Sequence, residues 1–376
     1  MLLEELFDQL ELQYQKELPF VAYNKPNDTK IHTFFQKNND LHISTNLSES
    51  GFVFAPFDDQ NDTVVMRVED CIQNVADLDI SEGIKVAPSS DLENETSKKK
   101  HLDLVKKAVD AILEQKLRKV VLSRVEEVEV SDENPMTLFQ SLLELYPSAF
   151  VYIWFHPKVG LWLGATPETL LKLHGLQFQT MALAGTQLFK SEETIKWDSK
   201  NKEEQEIVTN YIVSVLEPYT SKIAISTAKT IRAGALCHLQ SEISGLLKAG
   251  RTKQVIQALH PTPAVCGMPK DISKEFILNN EFYDREFYTG FLGELNMHQI
   301  QSRNTNRRNI ENNAYTSRRT VSDLFVNLRC MQLKKGKALV YVGGGITKDS
   351  IPEQEWEETV NKSQTIKKIL ACDFHL

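Results

Sequence analysis

The chain reads as an α+β protein in which sheet predominates. Three observations carry this: short apolar and aromatic runs are bounded by turn residues, 3.6-residue periodicity is confined to a few long segments, and the two kinds of element come in clusters without regular strand–helix alternation. With 376 residues, 41% of them hydrophobic, the chain can bury a large core in one domain or two smaller ones.

The elements follow in order. Residues 1–95 are a β-rich N-terminal portion, with Phe20-Val21-Ala22-Tyr23 and Gly51-Phe52-Val53-Phe54 separated by Asn/Asp turns and no evident chemistry. Residues 88–100 are polar and charge-dense, an exposed connector into the main domain, 96–376. Leu104, Val105, Ala108, Val109, Ile112 and Leu113 give a helix over 101–116, and a strand follows from Lys119 to Val125. Two aromatic-rich runs joined by His156-Pro157-Lys158-Val159-Gly160 read as a hairpin, the second ending at Gly164-Ala165-Thr166-Pro167-Glu168. A strand from Leu176 to Leu183 stops at Ala184-Gly185-Thr186, and a helix from Glu203 carries Ile207, Val208, Tyr211, Ile212, Val215 and Leu216. Residues 296–320, rich in Asn and Arg (Arg303, Arg307, Arg308, Arg318, Arg319), read as a long surface loop. Last come a buried strand, Leu339–Ile346, a turn at Gly343-Gly344-Gly345, and a helix. Ser350 and Glu353 predict a capping box for that helix, with Pro352 in its first turn.

A net charge of −8 argues against a nucleic-acid surface, which rewards clustered positive charge. The five cysteines are odd in number, scattered and without a CxxC pair, so reduced thiols and no zinc site are expected. The first residues are acidic where a signal peptide would be basic, and no apolar run reaches the roughly 18 residues of a membrane span. A cytoplasmic monomer is the expectation.

The chemistry lies in a few side chains. Glu355, Glu358 and Lys362 share the helix face that continues into Ile366, Ile369 and Leu370, so these charges point inward. Glu204, three and four residues before Ile207 and Val208, also lies on the apolar face of its helix. Acids gather at helix N-termini because they favour the macrodipole, but that does not turn them inward. Inward carboxylates need a partner, and oxygen donors without His or Cys select Mg²⁺. Lys119 is either a lysine snorkelling from a strand end or a desolvated general base. Glu168, after Pro167, is either a simple N-terminal acid or a general acid kept protonated by an apolar pocket. His260 sits in a stiff Pro-rich turn, structural or aimed at a ligand. The three glycines lack phosphate-loop spacing, although backbone N–H groups there could bind a carboxylate, and Arg329 could clamp one.

Taken together, ordered motifs from about residue 100 to 372 resemble the chorismate-utilising enzymes. They are Lys119-Val-Val-Leu-Ser-Arg124, Gly164-Ala-Thr-Pro-Glu168, Leu183-Ala-Gly-Thr186, His260-Pro-Thr-Pro-Ala-Val-Cys-Gly267, Arg285-Glu-Phe-Tyr-Thr-Gly290, Leu328-Arg-Cys330, Gly343-Gly-Gly-Ile346 and Glu355-Trp-Glu-Glu-Thr359 with Lys362. The resemblance implies one large domain of two packed antiparallel sheets with helices outside, and a Mg²⁺-dependent site. It implies that Glu204 and Glu358 hold Mg²⁺ with Glu355 assisting. It further implies that Gly185, Thr186, Tyr288, Arg329, Gly345 and Lys362 line carboxylate sites, and that His260 orients the ring. Lys119 would deprotonate a water attacking C2, and Glu168 would protonate the hydroxyl leaving C4. Relatives that use ammonia tend to carry Gln at the Lys119 position, and those making aminodeoxychorismate a lysine at Ala184. Isochorismate synthase, an isomerase, is therefore the expected activity. Salicylate synthase, anthranilate synthase component I and a non-catalytic chorismate-binding protein are the alternatives. The motifs do not separate menaquinone from siderophore supply. Two positions depart from the family pattern: Asn201, where many relatives have Asp, and Gly293-Glu294, in place of Gly and an aromatic.

Overall fold

Side chains along a strand alternate between faces, and here both faces are apolar. In Phe150–His156, Phe150, Tyr152 and Trp154 join one buried cluster while Val151, Ile153 and Phe155 join another. Phe20–Asn24 does the same, Val21 and Tyr23 facing one way and Phe20 and Ala22 the other. Such strands must lie in a sheet covered on both sides.

The computed structural model describes residues 1–78, 95–130, 134–188, 195–233, 236–301 and 317–370. The chain opens with α1 (Leu3–Gln15), β1 (Phe20–Asn24), β2 (Lys30–Gln36), β3 (Ile43–Ser44), β4 (Gly51–Ala55), β5 (Thr63–Arg67) and β6 (Cys71–Asp77). It continues through α2 (Glu95–Leu113), β7 (Lys119–Glu129), α3 (Pro135–Leu145), β8 (Phe150–His156), β9 (Gly160–Thr166), β10 (Thr169–His174) and β11 (Gln177–Leu188). Next are α4 (Ser199–Leu216), β12 (Thr220–Ile225), β13 (Lys229–Ala233), β14 (Leu236–Leu247), α5 (Thr252–Leu259), β15 (Gly267–Met268) and α6 (Lys270–Asn280). It ends with β16 (Phe291–Gln301), β17 (Ser317–Val326), β18 (Cys330–Lys334), β19 (Lys337–Ile346) and α7 (Pro352–Leu370).

Two antiparallel sheets result. One runs β15-β7-β19-β18-β9-β8-β1-β2-β6, the other β12-β14-β11-β10-β17-β16-β4-β5-β3, with β13 also paired to β14. An aromatic layer lies between them, where Tyr23, Phe52, Phe54, Trp154, Trp162 and Phe325 are all buried. The outer face of the first sheet is covered by α1, α3 and α7 through Leu6, Phe139 and Ile366, and that of the second by α4 and α5 through Val208, Ile212 and Val255. The expected arrangement of two packed antiparallel sheets with helices outside is what the structure has, and β1 to β6 take places in both sheets.

Local readings change in six places. Helix α1 was not anticipated; its buried Leu6 and Leu10 are one turn apart. The connector into α2 ends earlier than expected, because the helix already starts at Glu95. Gly343, Gly344 and Gly345 form no turn but pair in β19 with Ser123, Leu122 and Val121, since the ladder continues through them. Likewise β11 does not stop at Gly185; it bulges there, with φ +68, and resumes opposite His238. Ser350 does not cap α7: the helix starts at Pro352, and Ser350 Oγ instead accepts from Thr347 N–H at 3.0 Å. Of the expected loop at 296–320, the described ends belong to β16 and β17, and residues 302–316, with Arg303, Arg307 and Arg308, lie outside the described residues. The four described cysteines are buried and unbridged. Among the described residues no helix is long and apolar enough to cross a membrane.

Candidate active site

Helix α4 is capped by Asp198, whose side chain accepts from Asn201 N–H at 2.8 Å. It is fixed to the second sheet by Gln205, whose Nε2 donates to Ala182 O at 2.9 Å and Ser241 Oγ at 3.1 Å. The neighbouring Glu204 therefore projects from a held second turn towards β7. There Lys119, the first residue of β7, sets its Nζ 2.9 Å from Glu204 Oε1. Gly345 makes room for that lysine: a Cβ on it would stand 2.9 Å from Lys119 Cε.

These groups line a cavity of about 300 Å³ together with Glu168, Gly185, Tyr288, Arg329, Glu355, Glu358 and Lys362. Glu168 is 4% exposed, and burial pushes its carboxyl up to about 7 against the opposing pull of Lys119. Such an acid can hold a proton near neutral pH and release it. Lys362 Nζ binds Glu358 Oε1 at 2.6 Å, one turn back on α7, and donates to Gly343 O at 2.9 Å. Lys362 holds the Glu358 carboxyl below its usual range, against the effect of burial. Arg329, at φ +48, donates from Nη1 to Lys362 O and Thr365 Oγ1, both at 3.2 Å. Tyr288 stacks on Tyr341, ring centres 5.4 Å apart.

Behind the cavity a buried ion pair holds three segments together. Arg285 Nη2 is 2.6 Å from Glu281 Oε1, and its guanidinium donates to Val121 O of β7 at 2.7 Å and Val265 O at 3.0 Å. Glu281 also accepts from Ser123 N–H at 2.7 Å. The Arg285–Gly290 motif is thus largely a brace between β7 and the Pro-rich turn.

Sequence reasoning placed one residue differently. His260 is not among the cavity-lining residues. Its Nε2 lies 3.0 Å from Pro56 O, its ring meets Phe291 edge-on, and burial lowers its pKa to about 4. The rigidity expected of its turn holds it inward as a structural imidazole. Thr186 lies on β11 opposite His238, but its side chain is outside the described residues. The residue that was missed is His238 on β14, which lines the cavity and donates from Nδ1 to Gly185 O at 3.1 Å. Burial, with Arg329 and Lys362 nearby, brings its pKa to about 4. His238 stands on a strand that also carries Gln240, Ser241, Glu242 and Ser244, so its polarity gave no signal of its own.

Glu204, Glu355 and Glu358 all face this cavity, and a Cβ on Gly344 would be 3.5 Å from both Glu355 Oε2 and Glu358 Oε1. Three carboxylates are the right chemistry for a hard cation. Glu204 and Glu358 are each held by a lysine, however, and among the described residues no three His, Cys, Asp or Glu side chains gather closely enough to enclose an ion.

Known proteins share this frame. The isochorismate synthase MenF of Escherichia coli is 26% identical over 306 residues, covering 77% of this chain and 66% of that protein. The MenF of Pasteurella multocida is 30% identical over 221 residues, covering 55% and 46%. The chain thus spans about half to two thirds of the length of these curated relatives. Among solved structures, a protein described as a putative 2,3-dihydroxybenzoate-specific isochorismate synthase, DhbC, from Bacillus anthracis has the same fold. Its TM-score is 0.77 at 22% identity, covering 98% of this chain and all of that one. The family models described as chorismate binding enzyme match residues 38–301 and 314–368, which takes in the strands of both sheets from β3 onwards and the carboxylates of α4 and α7. On that match, over a fold and cavity of this kind, the chain belongs to the chorismate-binding enzymes.

Proposed function

We propose that this chain is an isochorismate synthase. The observation that carries the reading is the pairing of Lys119 and Glu168 in one cavity, the second with a carboxyl raised to about 7 by burial. Binding alone needs no such acid–base pair. Lys119 in its amine form takes a proton from water as the oxygen attacks ring carbon C2. The double bonds of the ring shift, the C4–O bond breaks, and Glu168 gives its proton to the departing hydroxyl. One water enters and one leaves, so the net change is an isomerisation.

Arg329 and Lys362 supply cationic partners for the substrate's carboxylates in a chain whose overall charge is −8. Glu204 and Glu358, with Glu355, would hold Mg²⁺, which when bound neutralises a substrate carboxylate and fixes its position. Because Lys119 and Lys362 hold two of these acids, metal binding must loosen at least one ion pair. The lysine at 119 and the alanine at 184, both cavity residues, favour water over ammonia as nucleophile. Similarity to enzymes named isochorismate synthase supports the same branch.

The deciding experiment incubates the purified protein with chorismate and Mg²⁺ and separates the products. Isochorismate is expected. Salicylate with pyruvate would make the protein a salicylate synthase, anthranilate formed with ammonium would move it to the aminating branch, and no turnover would leave a binding protein.

A further inference from the structure

A second cavity, of about 570 Å³, shares Lys119, Glu204 and Thr347 with the first. The rest of its lining is different: Ile207 and Val208 one turn along α4, Ile112 near the end of α2, Met268 of β15, and Lys348. The three shared residues are therefore the partition between the two spaces. Lys119 and Glu204 are ion-paired at 2.9 Å. The third, Thr347, has a buried Oγ1 with no hydrogen-bond partner among the described residues. Lys119 Nζ and the Glu204 carboxylate, which stand together at this partition, offer a water two of the two to four polar partners it needs.

The proposed hydration, on which this inference rests, takes in water at Lys119 and expels it at Glu168. A ring carrying two carboxylates that fills the first cavity blocks the front approach to Lys119, as substrates in enclosed sites do. The second cavity reaches the same lysine from the other side of the partition.

We propose that the attacking water has its own entrance: it reaches Lys119 through the second cavity, past Ile207, and waits at the partition beside Lys119 and Glu204. The bonds balance as in the hydration above. The water entering from behind gives one proton to Lys119 and its oxygen to C2, and the C4 oxygen leaves in front with the proton of Glu168.

Ile207→Trp would plug the second cavity from α4, and Met268→Trp would plug it from β15, so that a folding failure of one leaves the other. Two readouts are taken with chorismate at saturation: turnover, and carbamylation of Lys119 by cyanate followed by peptide mass spectrometry. The expected result is a kcat at least tenfold lower, a KM for chorismate within twofold of wild type, and carbamylation of Lys119 slowed at least tenfold. An unchanged carbamylation rate in a folded plug variant overturns the entrance whatever happens to kcat. If wild type makes no isochorismate, the proposed function fails, while the cyanate rates still decide whether the second cavity leads to Lys119.

Discussion

Replacing Glu168 by Gln should stabilise this protein while removing its activity. Glu168 is almost fully buried, and its pKa lies at about 7 rather than the 4.5 of an ordinary glutamate. Between those two values the unfolded chain has lost the proton while the folded chain keeps it. The folded state then binds more protons, so stability falls as pH rises, by about 1.4 kcal/mol per pH unit for one group. Across the interval from 4.5 to about 7 the loss comes to about 3 kcal/mol. It is absent below pH 4.5 and complete above about 7. Glutamine has the same shape and no charge, so this pH dependence should vanish in the variant. Urea unfolding of metal-free wild type and Glu168→Gln at pH 5 and pH 8.5 measures it. The variant should gain about 2.5 kcal/mol relative to wild type on going to the higher pH, since a small part of the loss has already occurred at pH 5. If the two proteins keep a constant stability difference over that range, Glu168 does not titrate abnormally and its assignment as the proton donor loses its physical basis.

The same raised pKa predicts that kcat declines about tenfold per pH unit above about 7, as the donor loses its proton; a flat alkaline limb would assign the acid elsewhere. Lys119→Ala should abolish hydration while Mg²⁺ affinity, read by calorimetry, is not weakened, because Glu204 is released from its 2.9 Å ion pair; an active variant would remove Lys119 from the chemistry. Gly345→Ala would set a methyl 2.9 Å from Lys119 Cε, too close for two carbons, so the lysine must shift, and a misplacement of about 1 Å costs about 100-fold in kcat. Glu281→Gln should cost about 3–5 kcal/mol in urea unfolding, because it strips the partner from the buried Arg285; a loss below about 1 kcal/mol would show that the brace is not needed.

Much of this was readable without coordinates, for physical reasons that differ by residue. Glu204, Glu355 and Glu358 stand out because acids on the apolar face of a helix contradict its period, and Lys119 and Glu168 because they sit within or beside apolar strands. Period and polarity are local properties, so the sequence carries them directly. The two-sided apolar strands and the α+β class are legible in the same way. His238 was not legible, since one polar residue on a strand says nothing about which cavity the strand borders.

What only the tertiary structure decides is who meets whom. Lys119 and Glu204 are 85 positions apart by their own numbering, and their 2.9 Å contact exists because β7 and α4 reach the same cavity. The three glycines looked like a turn because glycine favours turns. In the fold they are strand residues, whose missing side chains leave space for Lys119 and for the carboxylates of α7. His260 in its stiff turn could be structural or aimed at a ligand, the resemblance implied the second, and the fold points it at Pro56. Sequence by itself determined which residues bear charge against their local pattern; the packing of two sheets decided which of those charges share a cavity, because that depends on contacts between segments far apart in the chain.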